Sequence, residues 1–400
     1  MAFFKRKINV PTARWDDLRL GDHAHGFMIA GLARQDVLDD MREAIIKAMQ
    51  GETLNDFRKR FDDNVLGRWE GFTGDGTAKG RAWRTRIIYR TNLRTSYMAG
   101  RWETLRSFPF LRYNHHTLLN PRENHLAWDD LILARDNPWW AVHYPPNGWG
   151  CNCDVTGVSE QRLRAMGRSP DDAPADIPGD PPPEWSYHVG EAARSLSVAS
   201  AFGERVMQLP PAWRAIALAD AQARRIDTLV DWPAMVRQVG DALAAGETGG
   251  VGLSSPVGFL SDRAVTVLTG GAANLVTALL AADDRAALHV LRDSKLTRSR
   301  FGRTPRSDEL RSVFADTLGA MPADLSAPTT SIYWDTGTIT GAPGLLYVVE
   351  REGLLIKYVF GVSERRKTAR ARVTANWLKT IETTTAQQLS GLTLISGPSR

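Results

Sequence analysis

Between residues 33 and 66 the apolar positions Val37, Met41, Ala44, Ile45 and Ala48 recur at three- and four-residue spacing, which predicts helix. Asp36 is the expected cap of that helix. Gly51 is its expected stop, and Thr53 starts a second helix. Residues 71–80 are glycine-rich and read as a loop. They lack the Gly-Lys-Ser/Thr ending and the preceding strand of a phosphate cradle. Residues 83–107 contain no proline and one glycine and read as one long helix. Residues 108–157 show neither period and are rich in Pro, Asn, Trp and His, so something other than regular secondary structure must hold them. A metal ion, or packing of Trp128, Trp139, Trp140 and Trp149, would do so.

Six prolines between residues 170 and 183 exclude helix and central strand and predict an extended linker or an arm on a partner surface. Residues 191–247 return to helix, with Ala-rich stretches around 212–224 and 233–245, and Gly246–Gly252 marks a boundary. Beyond it, helical stretches near 272–292 and 307–319 precede three short apolar runs, 330–335, 345–350 and 354–360, read as strands. Residues 350–353 form a hairpin turn, and 370–376 add a strand or start the last helix. The expected fold class is a multidomain α+β protein. Its N-terminal and middle parts are mainly helical with an irregular Cys/His-containing segment, and it ends in a small C-terminal α+β domain with an antiparallel sheet. The expected regions are 1–60, 61–157, 158–190 (linker or arm), 191–250 and 251–400, the last folding independently from about residue 253.

Composition narrows the classes. Hydrophobic content of 43% is that of a globular chain. Two cysteines in 400 residues exclude a disulfide scaffold, and a reducing compartment is the default. The start has no apolar run suited to a signal peptide, and no stretch approaches the ~18 apolar residues of a membrane span. Residues 250–400 carry 18 Lys+Arg against 13 Asp+Glu, while residues 1–249 carry 32 of each. That excess points to a polyanionic partner for the C-terminal part or to a basic solvated surface.

Both cysteines lie in His143-Tyr-Pro-Pro-Asn-Gly-Trp-Gly-Cys151-Asn-Cys153, where prolines and glycines demand a sharp turn. With His125 upstream they make an H-x17-H-x7-C-x-C array. Two imidazoles and two thiolates suit a tetrahedral structural zinc ion, so His125, His143, Cys151 and Cys153 are the expected ligands, with His115 and His116 as spare candidates. Without a metal, His143 would cap a loop and the thiols would pack as small buried groups. On the long helix, Arg86, Arg90, Arg94 and Arg101 fall within about 80° of one another, flanked by Tyr89, Leu93 and Tyr97. Such a stripe suits a phosphate backbone, an acidic face of a neighbouring subunit, or plain solvation.

These motifs carry a resemblance. Tyr89 to Tyr97 with its Arg-Thr-Asn start, Pro121 to His125, and Tyr144 to Cys153 fall in the order seen in the Mu F-like head-morphogenesis family of tailed phages. The match departs at Pro121-Arg122, where the family has Arg-Pro, and at Asn152, where it usually has Arg. The resemblance covers roughly residues 60–157. It implies a minor head protein of a phage or prophage, acting in head assembly inside the shell near the portal. Its implied partners are portal and major capsid or scaffold proteins, with DNA or RNA as further candidates and no membrane. The implied locations are the virion and, during assembly, the bacterial host cytoplasm.

The C-terminal region faintly resembles the barnase/EndoU/colicin/RelE-like RNase group attached to such head proteins, through residues 289–292, 332–335, 346–349, 357–360 and 370–376. That resemblance implies His289 as acid or base and Lys357, Arg370 and Arg372 as cations for metal-free RNA cleavage. A structural role for His289 is the plain alternative. Convergence of Arg298, Arg300, Arg303, Arg365, Arg366 and Lys367 with them on one face would make that face a nucleic-acid surface. The chain contains no Ser-His-Asp, dinucleotide-binding, Walker or His-Glu-x-x-His signature. Three readings follow: a structural head protein, an RNase-type nuclease or effector carried in the head, and a protein organising the packaged DNA end.

Overall fold

The computed structural model describes residues 1–65, 67–69, 77–116, 120–169, 174, 176–224, 232–246, 252–291 and 307–399. Most of the glycine-rich loop, part of the Pro-rich segment, and Arg298, Arg300 and Arg303 lie outside the described residues. The chain forms two compact units, Met1–Ser195 and Leu196–Arg400.

The first unit opens with α1 (Ala2–Lys5) and a parallel strand pair, β1 (Ile8–Asn9) and β2 (Gly26–Phe27), with α2 (Asp22–His25) between them. Three helices follow: α3 (Gln35–Met49), α4 (Leu54–Asn64) and α5 (Ala78–Leu105). The periodic positions Val37, Leu38, Met41 and Ile45 of α3 bury against Phe57 and Phe61 of α4, Ile88 of α5, and Phe4 and Phe27. Gly51, at φ +116°, separates α3 from α4 in a conformation that favours glycine. Thr53 then caps α4 in a reciprocal box with Asp56. Asp36 does not cap α3. It stands in the first turn and pairs with Arg34 at 2.6 Å, and Arg34 itself occupies the cap position.

Beyond α5 come β3 (Phe110–Asn114), α6 (Glu123–Ala127), β4 (Ile132–Ala134), α7 (Trp140–His143), β5 (Asp154–Val158), α8 (Glu160–Ala165) and α9 (Val189–Ala192). The strands form a sheet in the order β4-β3-β5 with both pairings antiparallel. Periodicity gave no strand here, because each is three to five residues long.

The N-terminus of α9 is capped by His188, whose Nδ1 accepts from the amides of Gly190 (3.2 Å) and Glu191 (3.1 Å). Its ring lies parallel to that of Tyr144 at 3.9 Å. Gly190 permits the close approach to α5, since a Cβ there would meet Trp102 Cβ at 2.4 Å. Burial lowers the His188 pKa to about 3, with Glu191 opposing. The folded state therefore binds fewer protons than the unfolded state between pH 6.5 and about 3. Its contribution to stability is complete above the unfolded value and is lost as pH falls through that window, at up to about 1.4 kcal/mol per pH unit. Replacing His188 by Asn, a capping residue that does not titrate, should flatten the stability slope between pH 6.5 and 5. Urea titrations with chelator in excess check this, and an unchanged slope would assign the acid sensitivity elsewhere.

The second unit begins with α10 (Leu196–Gln208), α11 (Pro211–Arg224) and α12 (Trp232–Ala244), then β6 (Ser254–Phe259), α13 (Asp262–Val267), β7 (Leu279–Asp283) and α14 (Asp284–Leu291). A helix over Ser307–Ser326 leads into β8 (Ser331–Asp335), β9 (Gly344–Arg351), β10 (Leu354–Lys367) and β11 (Arg372–Thr384). A short helix, Ala386–Leu389, precedes β12 (Thr393–Ser396). The seven strands lie in the order β12-β8-β9-β10-β11-β7-β6. All neighbours are antiparallel except β11 and β7. One edge strand, β6, contains Pro256 and a register shift between Pro256 and Gly258. The other, β12, has four residues and is followed by Pro398.

The three expected strands are present, and 370–376 falls at the start of the long strand β11. The stretch 272–292 is a correction: only its second half is helix, and Leu279–Asp283 is β7. Its run Leu-Leu-Ala-Ala is buried on both faces, and an apolar run without alternation does not distinguish buried strand from helix. The helix α10 belongs with this sheet, since Ser200 Oγ donates to Thr374 O (2.6 Å) and Thr277 Oγ1 donates to Ser200 O (3.2 Å). The unit thus starts well before residue 253.

After β8 the buried carboxylate of Asp335 gathers the following loop. It accepts from the amides of Gly337 (2.9 Å), Thr338 (2.8 Å) and Thr340 (2.9 Å) and from the hydroxyls of Thr338 and Thr340, both at 2.9 Å. Burial opposes its ionisation, but these donors outweigh burial and hold its pKa below the ordinary carboxylate value.

Candidate metal centre

The site is built where β3 and β5 run side by side. Their register pairs Asn114 with Asp154, so the chain beyond β3 at His115 faces the chain before β5 at Cys153. Cys151 and Cys153 are both buried. Gly148 (φ +152°) and Gly150 (φ +72°) shape the turn into them, and Arg122 Nη2 closes it by donating to Trp149 O (2.6 Å). The third group, His125, rides on α6 and stacks on the fully buried Trp128 (5.1 Å, 21°).

His125 Nδ1 lies 3.7 Å from Cys151 Sγ and 3.4 Å from Cys153 Sγ. The ligand atoms of His125, Cys151 and Cys153 all fall within 4.8 Å of one another, and among the described residues they are the group able to hold a metal ion. With Zn–S about 2.3 Å and Zn–N about 2.0–2.1 Å, the N···S edge of a tetrahedron is about 3.6 Å. The observed separations straddle that value, so the three donors fit a zinc-type ion. Hydrogen bonding from Cys153 draws the Cys151 thiol below the ordinary range against the effect of burial. The same contact and burial push Cys153 up. The backbone of Asn147 also hydrogen-bonds Cys151, and that of His116 hydrogen-bonds Cys153.

The fourth expected ligand, His143, does not join this group. Its Nδ1 is 2.9 Å from Trp139 O, and its Nε2 faces Gly179 O (3.2 Å) and Asp180 Oδ1 (3.4 Å). Its ring stacks on Trp139 at 4.2 Å and meets Trp128 edge-on. His143 therefore fastens the Pro-rich segment, with help from Trp128 Nε1, which donates to Pro178 O (2.8 Å). The described end of that segment is an arm laid on the site and closes with a single 3-10 turn, Pro183–Trp185.

The arginine stripe of α5 splits in two. Arg94 Nη2 donates to Asn152 O (2.8 Å) and to Cys153 O, and Arg101 Nη2 donates to Val155 O (2.6 Å). Both guanidinium groups also flank the ring of Tyr97. These two arginines latch the cysteine strand to the helix, while Arg86 and Arg90 are exposed.

In the second unit, His289 is exposed on α14. Lys357 is buried, with Nζ 3.8 Å from Glu382 Oε2. Arg370 and Arg372 are exposed at the far end of the β10–β11 hairpin. Register pairs Lys357 with Glu382 but Lys367 with Arg372, so ten strand positions, about 33 Å, separate Lys357 from that end. The four residues do not form one site. Among the nearby basic groups, Arg366 is turned to Asp283 (2.9 Å) and Glu364 (3.1 Å).

Residues 35–156 match the family described as Phage Mu protein F like protein. This segment is Mu F-like. The match ends just past the cysteine pair, so the whole metal-type cluster belongs to the Mu F-like segment. The chain is 30% identical over 181 residues to the putative capsid assembly protein F of Escherichia phage Mu, covering 42% of this chain and 41% of that protein. It is 32% identical over 166 residues to the Mu-like prophage FluMu F protein of Haemophilus influenzae, covering 39% of this chain and 40% of that one. The chain therefore spans about two fifths of the length of these relatives. No solved structure matches it.

Proposed function

We propose that this chain is a minor head protein of a tailed phage or prophage that acts in head assembly with portal and major capsid or scaffold proteins, inside the head near the portal. The observation that carries the reading is the coincidence of the Mu F-like match with a single folded device. Arg94 and Arg101 of α5, the turn glycines and the Cys/His cluster all lie within it, and the two arginines hold the cysteine strand to the helix. A relative bearing the name capsid assembly protein supports the same direction. Among the described residues no helix is long and apolar enough to cross a membrane. Exposed Trp15, Trp83 and Trp149 border a cavity of about 700 Å³ in the first unit, a surface of the aromatic kind that protein interfaces use.

We propose further that the cluster holds a structural zinc ion. Zinc would tie α6 to the strand pair and would need no open coordination position for this purpose.

The RNase reading finds no support in the geometry, because His289, Lys357, Arg370 and Arg372 do not converge. Co-expression with the portal and major capsid proteins of the same phage tests the assembly reading. The chain is expected to co-purify with the portal and to be present in assembled heads. Heads that form normally and lack it would overturn the proposal. Incubation of the purified chain with RNA is expected to leave the RNA intact.

A further inference from the structure

We propose that His115, through Nδ1, is the fourth ligand of the metal centre, giving two imidazoles and two thiolates; this rests on the zinc reading above. The strand register that sets Asn114 against Asp154 carries His115 to the same level as Cys153. His115 Nδ1 stands 3.4 Å from Cys153 Sγ, the same separation as His125 Nδ1 from that sulfur and close to the tetrahedral edge of about 3.6 Å. Its backbone is pinned, since the His115 amide donates to Asp129 Oδ1 (2.7 Å). Its other ring nitrogen, Nε2, is buried and has no hydrogen-bond partner, so hydrogen bonding at Nε2 does not account for the ring's position.

Neighbouring histidines are committed elsewhere. His116 Nε2 faces Asp154 Oδ2 at 3.3 Å, and Asp154 is in turn held by Asn114 Nδ2 at 2.9 Å. His143 turns Nδ1 to Trp139 O and Nε2 to Gly179 O and Asp180 Oδ1, so both of its nitrogens are engaged away from the cysteine pair. Among the described histidines of this segment, His115 is the one besides His125 whose ring nitrogen faces a thiol. The ion would draw the imidazole inward by rotation about its side-chain torsions, closing the tetrahedron from the β3 side. His125 closes it from α6.

The test uses the full chain purified from zinc-supplemented medium, with His115→Ala, His143→Ala and His115→Cys beside it. Elemental analysis should find one zinc per wild-type chain. In competition with a chromophoric chelator, His115→Ala should bind zinc at least about a hundredfold more weakly, beyond the 10–100-fold typical of losing a supporting residue. His143→Ala should stay within about tenfold of wild type, and His115→Cys should recover tight binding by supplying a thiolate. The cobalt-loaded wild type should show intense tetrahedral bands that weaken in His115→Ala. Melting temperatures in chelator, compared between apo wild type and apo His115→Ala, separate loss of metal from loss of fold and should agree. Zinc bound equally tightly by His115→Ala, or lost equally from both alanine variants, overturns the assignment while leaving zinc in place. A wild-type chain purified without zinc overturns the zinc reading and this assignment together.

Discussion

Removal of the metal from the zinc-loaded chain is expected to lower the melting temperature of its Met1–Ser195 unit by about 8–16 °C. A ligand that binds only the folded state at a thousandfold excess over its Kd contributes about 4.1 kcal/mol. In a unit of this size each kcal/mol moves the midpoint by about 2–4 °C. The effect should concentrate in the sheet β4-β3-β5, because the cysteines sit directly before β5 and His125 lies on the helix that follows β3. The helical core around Val37, Met41, Phe57 and Phe61 contains none of the proposed ligands and should remain protected. Hydrogen exchange in the presence and absence of chelator reads both outcomes. Cys151→Ser combined with Cys153→Ser should reproduce the chelated state in any buffer. Identical melting of loaded and stripped chain would mean that the ion contributes nothing to the fold.

Asp335→Ala is expected to destabilise the second unit by about 3 kcal/mol, near the upper end for stranding buried donors. The carboxylate is the shared acceptor of four backbone amides, those of Gly337, Thr338, Ile339 and Thr340, and of two hydroxyls, and alanine offers them nothing. Asp335→Asn, which keeps an acceptor oxygen but no charge, should lose about half as much. The sign of the pH dependence follows from the lowered folded pKa. The contribution is fully present above the ordinary carboxylate value near pH 4 and is lost as pH falls through the folded value. Urea denaturation at pH 7 and pH 3 checks both statements. An alanine variant as stable as wild type at pH 7 would show that water satisfies the loop.

Much of this architecture was legible. α3 follows from three- and four-residue apolar spacing, α4 from Gly51 and Thr53 as punctuation, and α5 from a stretch with no proline and one glycine. Strands β8 to β10 follow from short apolar runs between turn signals. β7 was hidden because a strand buried on both faces has no alternation, and β12 because four residues carry no period. The metal-type cluster was legible in residue type, and three of its four expected members converge. His143 was misplaced because spacing along the chain carries no information about what a ring nitrogen faces. Its partners Gly179 and Asp180 lie in a segment that reads only as proline-rich. The pairing of His115 with Cys153 depends on an antiparallel register between strands 40 residues apart, and no local pattern encodes it. Arg94 and Arg101 looked like a phosphate-binding stripe for the same reason, since the carbonyls they meet are 54–59 residues away.

The edges of the seven-stranded sheet bear on how copies of this chain behave at high local concentration. An open edge invites another molecule to extend the ladder, and long flat edges seed fibres. Here one border has a proline in place of a donor and a slipped register, and the other is a four-residue stub followed by a second proline. A strand from a neighbouring copy finds no continuous row of amides and carbonyls on which to grow. Crowding many copies together should therefore leave the second units as separate bodies instead of stitching them into a continuous cross-β stack.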